Sequence, residues 1–154
     1  MKDKKQHLLI EQVDKKLIVF KSAENMLIPS KGWLNAVRTS LNMTLQQLGQ
    51  RLKITPQSVR DLEIREAEGS ITINRLREAA MAMDLKLVYG LVPIDGSIGK
   101  KIEKRAIEMA REIVLRTSDS MKLEDQENSK ERIEKAIHEK AAEIIDELPK
   151  YIWE

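Results

Sequence analysis

Apolar residues recur at helical spacing through most of the chain, and the polar residues between them are of the kinds that start and stop helices. Over residues 5 to 22, Leu8, Leu9, Val13, Leu17, Ile18 and Phe20 fall close to a 3.6-residue period. That spacing predicts an amphipathic helix that docks on another surface. A break follows at Pro29, Ser30 and Gly32, and then four short helices come in quick succession. The first runs from about Lys31 to Ser40, with Trp33, Leu34, Val37 and Leu41 on one face. Thr44 caps the second, and Gln47 completes a capping box that ties two free backbone donors. Leu45, Leu48 and Leu52 face inward there. Thr55 followed by Pro56 opens the third, because a threonine oxygen accepts backbone N–H groups and proline suits the first helical position. Its inward residues are Val59 and Leu62. After Gly69 and Ser70, Thr72 caps a fourth helix with Ile73, Leu76, Ala79, Ala80 and Met83 as its stripe.

Beyond Asp84 the pattern changes. Leu85 to Pro93 is rich in strand formers and stops at a proline, so it predicts a strand. A lone strand leaves its backbone unpaired, and pairing with itself across a dimer axis satisfies more hydrogen bonds than an extended tail does. From Ser97 to Glu154 two long helices are expected, separated by the polar stretch Thr117 to Gln126. Ile98, Ile102, Ala106, Met109 and Ile113 line the first; Ile133, Ala136, Ile137, Ala141, Ile144, Ile145 and Leu148 line the second. Such stripes pack against another helix, within the chain or across a dimer. The expected organisation is an N-terminal helical extension at 1–30, a four-helix core at 31–84, a dimerisation strand at 85–93 and a C-terminal helical extension at 94–154.

Composition narrows the picture. At 154 residues the chain has room for about one ordinary domain with appendages. It is 42% hydrophobic and 34% charged, too apolar for disorder. With 3% aromatics, six glycines and four prolines, a sandwich or barrel is disfavoured and a mainly all-α fold expected. The absence of cysteine excludes disulfides, thiol catalysis and thiolate zinc sites. No apolar run approaches the roughly 20 residues of a membrane span, and no secretory signal is visible, so a cytoplasmic location is expected. His7 and His138 lack partner spacing, and Glu124, Asp125 and Glu127 lack the glycine and spacing of a calcium loop. Trp33 and Trp153 read as packing residues. With no phosphate-cradling glycine loop and no nucleophile, base and orienter set, neither an enzyme nor a cofactor nor a metal is expected.

The net charge of +2 says little, but its distribution says more. Lys31, Arg38, Arg51, Lys53, Arg60 and Arg65 make the central third basic, whereas the last quarter is crowded with Glu and Asp. Within that basic part lies MTLQQLGQRLKITPQSVRDL, Met43 to Leu62, two short helices joined by a tight turn. In a helix-turn-helix the helices cross steeply, and Gly49 stands where they touch. The N-terminal turn of the second helix would lie in the DNA major groove, with Gln57, Arg60 and Asp61 on its outer face. Gln57 suits adenine, Arg60 a guanine or a phosphate, and the helix starts at Thr44 and Thr55 offer N–H groups to phosphates, helped by Lys31, Arg51, Lys53 and Arg65. The candidate DNA-contacting set is Thr44, Gln46, Lys53, Thr55, Pro56, Gln57, Ser58, Arg60, Asp61 and Arg65.

From Lys31 to Met83 the chain resembles the phage-repressor or Cro-like (Xre-type) helix-turn-helix family, a five-helix DNA-binding domain. That resemblance implies a structural ion pair between an arginine of the first helix and a glutamate late in the recognition helix, here Arg38 and Glu63. Lys53 stands where the family commonly has a turn glycine, and Pro56 replaces a frequent base-contacting position, which moves the first reading residue to Gln57. The loop Glu66 to Ser70 is acidic where phage repressors often carry phosphate-binding lysines. Lys31-Gly32-Trp33-Leu34, Glu66-Ala67-Glu68-Gly69-Ser70-Ile71-Thr72, Leu87-Val88-Tyr89-Gly90-Leu91-Val92-Pro93, Leu123-Glu124-Asp125-Gln126 and Ile152-Trp153-Glu154 together resemble the bacterial family labelled mobile mystery protein A. That family is similar in kind to antitoxin-type Xre regulators and is typically found beside a Fic-domain partner. The resemblance implies a homodimeric autorepressor binding double-stranded DNA at an inverted repeat through a recognition helix at 55–66. The alternative is an antitoxin-like partner-binding protein for a Fic-domain or toxin protein encoded beside it. The Fic-inhibiting pattern of Ser or Thr, three residues, then Glu and Gly or Asn is absent, since Ile64 precedes Glu68-Gly69 and Leu123 precedes Glu127-Asn128. A regulator should lose function with Gln57→Ala and Arg60→Ala, a partner-binding module with charges inserted at Ile137 or Ile144.

Overall fold

A computed structural model describes residues 2–122 and 130–154, which are mainly helical with no strand among them. The chain divides into two compact units. One is Asn25–Tyr89; the other joins the first 24 residues to Gly90–Glu154. The two terminal extensions, which the sequence pattern separated as 1–30 and 94–154, therefore belong to one unit with its own core. No described helix is long and apolar enough to cross a membrane.

The unit Asn25–Tyr89 holds α2 (Gly32–Ser40), α3 (Leu45–Leu52), α4 (Pro56–Glu68) and α5 (Ile73–Ala82) around Leu34, Leu48, Val59, Ala79 and Met83. Each helix start from α3 onward coincides with its threonine: Thr44, Thr55 and Thr72 accept the N–H of Gln47, Ser58 and Arg75 respectively. Three expected core residues are exposed instead, Trp33, Leu41 at 54% and Ile73 at 50%. Leu41 is the C-cap of α2, beyond its last inward turn. Ile73 is the first residue of α5, and Ile71, just before the cap, packs on the core with Leu76 in its place. That pair has the spacing of a hydrophobic staple.

In the other unit α1 spans Lys2–Leu17 and tightens into a 3-10 turn at Ile18–Ala23, so the predicted helix changes type before residue 22. α6 (Ile98–Lys122) and α7 (Lys130–Glu147) pack on each other within the chain. Their core is Ile102, Ala106, Ala110, Ile137, Ala141, Ile144 and Ile152. Ala110 went unpredicted and Ile113 is 39% exposed, because the small side chains at 106, 110 and 141 define the line of close approach. α6 runs on through Thr117 to Lys122, where a polar break was expected; Leu123 to Gln126, with Glu127 and Asn128, lie outside the described residues. Pro149 ends the last helix, and a 3-10 turn at Lys150–Trp153 returns Ile152 to the core, its carbonyl accepting from Arg105 Nε at 2.6 Å. α1 joins this core through Ile10 and through Asp14, which accepts the Ile98 and Gly99 N–H groups at 2.7 and 3.0 Å and so caps α6.

Residues 85–92 form neither helix nor strand within one chain. Leu85 N bonds to Ala80 O at 2.9 Å, and among the described residues no backbone hydrogen bond reaches 86–92.

Candidate nucleic-acid interface

α3 and α4 are joined by a turn whose shape depends on two residues. A Cβ on buried Gly49 would stand 2.7 Å from the Ile54 carbonyl oxygen, so the turn backbone occupies the space that any side chain there would need. Lys53 closes α3 in the left-handed conformation, φ 58° and ψ 42°, a region that favours glycine over residues with a Cβ. Opposite the turn, α4 is fixed to α2. The Glu63 side chain, 8% exposed, pairs with Arg38, accepting from Nη2 at 3.2 Å and from Nε, and accepts from Asn35 Nδ2 at 2.9 Å. Arg38 Nη1 also donates to Met43 O at 2.9 Å, tying the α2–α3 connection to the same cluster. The expected ion pair is therefore formed, with two partners that spacing alone did not reveal.

Glu66 reaches back to cap α2, accepting from the Trp33 and Leu34 N–H groups, each at 2.8 Å. Glu66 to Glu68, expected in a loop, belong to the end of α4, and part of their acidity is thus turned to an internal task. Gly32, at φ +83°, lets this carboxylate approach, since a Cβ there would lie 2.7 Å from Glu66 Oε2.

The helix starts offer fewer free donors than the sequence suggested. The capping box uses both the Thr44 and the Gln47 N–H. Thr55 takes the Ser58 N–H at 3.1 Å, and its hydroxyl shares a 2.8 Å hydrogen bond with the Ser58 hydroxyl. Among the described residues this leaves the Leu45, Gln46 and Gln57 N–H groups open, three donors on two adjacent helix starts.

Thr44, Gln46, Lys53, Thr55, Pro56, Gln57, Arg60, Asp61 and Arg65 are all exposed, and Ser58 is half-buried. Lys53, Arg60 and Arg65 have no carboxylate partner among the described residues. Arg51 is different: its Nη1 donates to Ala82 O at 3.0 Å and lies 3.6 Å from Asp84, which engages it at the end of α5. Asp61 accepts from Gln57 Nε2 at 3.2 Å. On this face Ile64, which the sequence assigned neither to the core nor to the contacting set, is 47% exposed two turns after Gln57.

Elsewhere, Trp33 and Trp153 are 42% and 52% exposed, so neither is the packed residue expected, and Lys101 Nζ stands 5.8 Å from the Trp153 ring centre. His7 Nε2 lies 3.2 Å from the Asp146 carbonyl oxygen. Ile137 and Ile144 are 1% and 3% exposed, so charges inserted there would break a core and not probe a docking surface.

No family model matches the chain, and no curated protein or solved structure does either.

Proposed function

We propose that the protein is a sequence-reading transcriptional regulator whose α3 and α4 form a Cro-like helix-turn-helix on double-stranded DNA. The observation that carries this reading is the outer face around the start of α4. There Gln57 and Arg60, with Lys53 in the turn before them, stand exposed; among the described residues these cations lack carboxylate partners and the Gln57 N–H is open, and Arg65 adds an exposed cation in the last turn of α4. Unneutralised cations beside open helix-start donors suit phosphates, and an amide among them suits a base edge. The Gly49 contact sets α3 close against the turn into α4, and the Arg38–Glu63 cluster fixes α4 to α2.

The protein acts as a homodimer, joined by antiparallel pairing of residues 85–93 and binding an inverted repeat at its own promoter to repress it. The unpaired backbone of 86–92 supports the pairing. Two recognition helices about 34 Å apart would each read one half-site. A second reading, an antitoxin-like partner for a Fic-domain or toxin protein, draws on exposed Leu8, Leu9, Ile18 and Val19.

The test is binding to labelled DNA from the gene's own upstream region, titrated with salt and scrambled competitor. Wild type should bind tightly, resist competitor and weaken as salt rises. Gln57→Ala/Arg60→Ala should lose about tenfold or more on that DNA. Equal binding to all sequences, or none, overturns the reading in favour of the partner role.

A further inference from the structure

Resting on that reading of α4, we propose that Asp61 is a positioning residue that locks the Gln57 amide in the orientation that reads adenine. The two side chains are four residues apart on one exposed helix face, with Gln57 Nε2 3.2 Å from Asp61 Oδ1. An ionised carboxylate has no hydrogen to give, so only the nitrogen side of the amide can face it. The carboxylate therefore decides which way round the glutamine points. One Nε2 hydrogen is engaged; the other hydrogen and Oε1 remain open among the described residues.

That open pair, one donor beside one acceptor, complements the adenine N7 acceptor and N6 donor in the major groove. A glutamine free to turn over presents the pair in either order. Held by Asp61, it presents one order, and so one strand sense for the adenine.

Asp61 also forgoes a stronger partner. Arg65 lies four residues further along the same helix, at ion-pair spacing, yet no ion pair joins them. A carboxylate directed at DNA repels phosphate, which is a poor choice for general affinity and an intelligible one for orienting a reader. A Gln and Asp pair at this spacing also steadies a helix slightly, and that role alone leaves base preference untouched.

The experiment selects duplexes from a random library with the full-length protein and measures competition on the enriched site, for wild type, Gln57→Ala, Asp61→Ala and Asp61→Asn. Circular dichroism confirms that each variant is folded. Wild type should demand adenine at one position per half-site, and Gln57→Ala should lose that demand. Asp61→Ala should lose about tenfold of the adenine preference while binding scrambled DNA at least as tightly as wild type, a split that a merely structural role would not produce. Asp61→Asn, whose amide oxygen still accepts from Gln57, should keep most of the preference. If Asp61→Ala selects adenine as strongly as wild type, or the position read by Gln57 is not adenine, this proposal falls and the DNA-reading function stands. If wild type enriches no sequence, that function falls and takes the proposal with it.

Discussion

Lys53 occupies a backbone conformation, φ 58° and ψ 42°, that costs an L side chain roughly 1–2 kcal/mol. Its ammonium is exposed beside the start of α4, where a positive charge serves phosphate binding. Lys53→Gly should therefore raise unfolding stability by about 1 kcal/mol in urea titrations while weakening DNA binding and flattening its salt dependence. A variant that gained neither stability nor salt insensitivity would contradict both roles. The tension was legible in the sequence through the family resemblance, which sets a turn glycine where Lys53 stands. The Arg38–Glu63 pair was legible only through family resemblance. Its completion by Asn35 and by the Met43 carbonyl was not, since both depend on how α2 and α4 cross.

Among the elements, local signals carried furthest. Thr44 with Gln47 and Thr55 with Pro56 act over three residues, and the helices begin where those signals stand. Signals that depend on partners failed. Leu41 and Ile73 are exposed because each stands at a helix end, outside the last inward turn, and α6 runs on through Thr117 where a polar break was expected. The cap of α6 by Asp14 is the extreme case, joining residues 84 and 85 positions apart. Asp14→Ala removes the acceptor for two backbone donors and should destabilise that unit by about 1–2 kcal/mol, read by chemical denaturation. DNA affinity should be unchanged, because Asp14 lies outside the unit that carries α4. A loss of DNA binding in a folded Asp14→Ala protein would show that the reading face depends on the other unit.

For the whole molecule, composition foretold a helical chain but not its division. One core with appendages was expected, and two units each have a core, because Ile102 and Ile137 of the C-terminal stripes are joined across the sequence by Ile10, which the N-terminal stripe did not include, while Leu8, Leu9 and Ile18 of that stripe are exposed. The segment 86–92 has no backbone partner among the described residues of a single chain, as a strand awaiting a second copy would. Val88→Pro removes a ladder donor at its middle and should shift sedimentation from dimer to monomer while weakening binding to an inverted repeat. Unchanged sedimentation would place the dimer contact elsewhere or remove it. The most direct test of the central claim is hydroxyl-radical footprinting of the protein on its own upstream DNA. Two protected patches on one face of the duplex, about 10 base pairs apart and both lost in Gln57→Ala/Arg60→Ala, are the predicted result. A single patch, uniform protection or no footprint would contradict a dimeric reader built on α4.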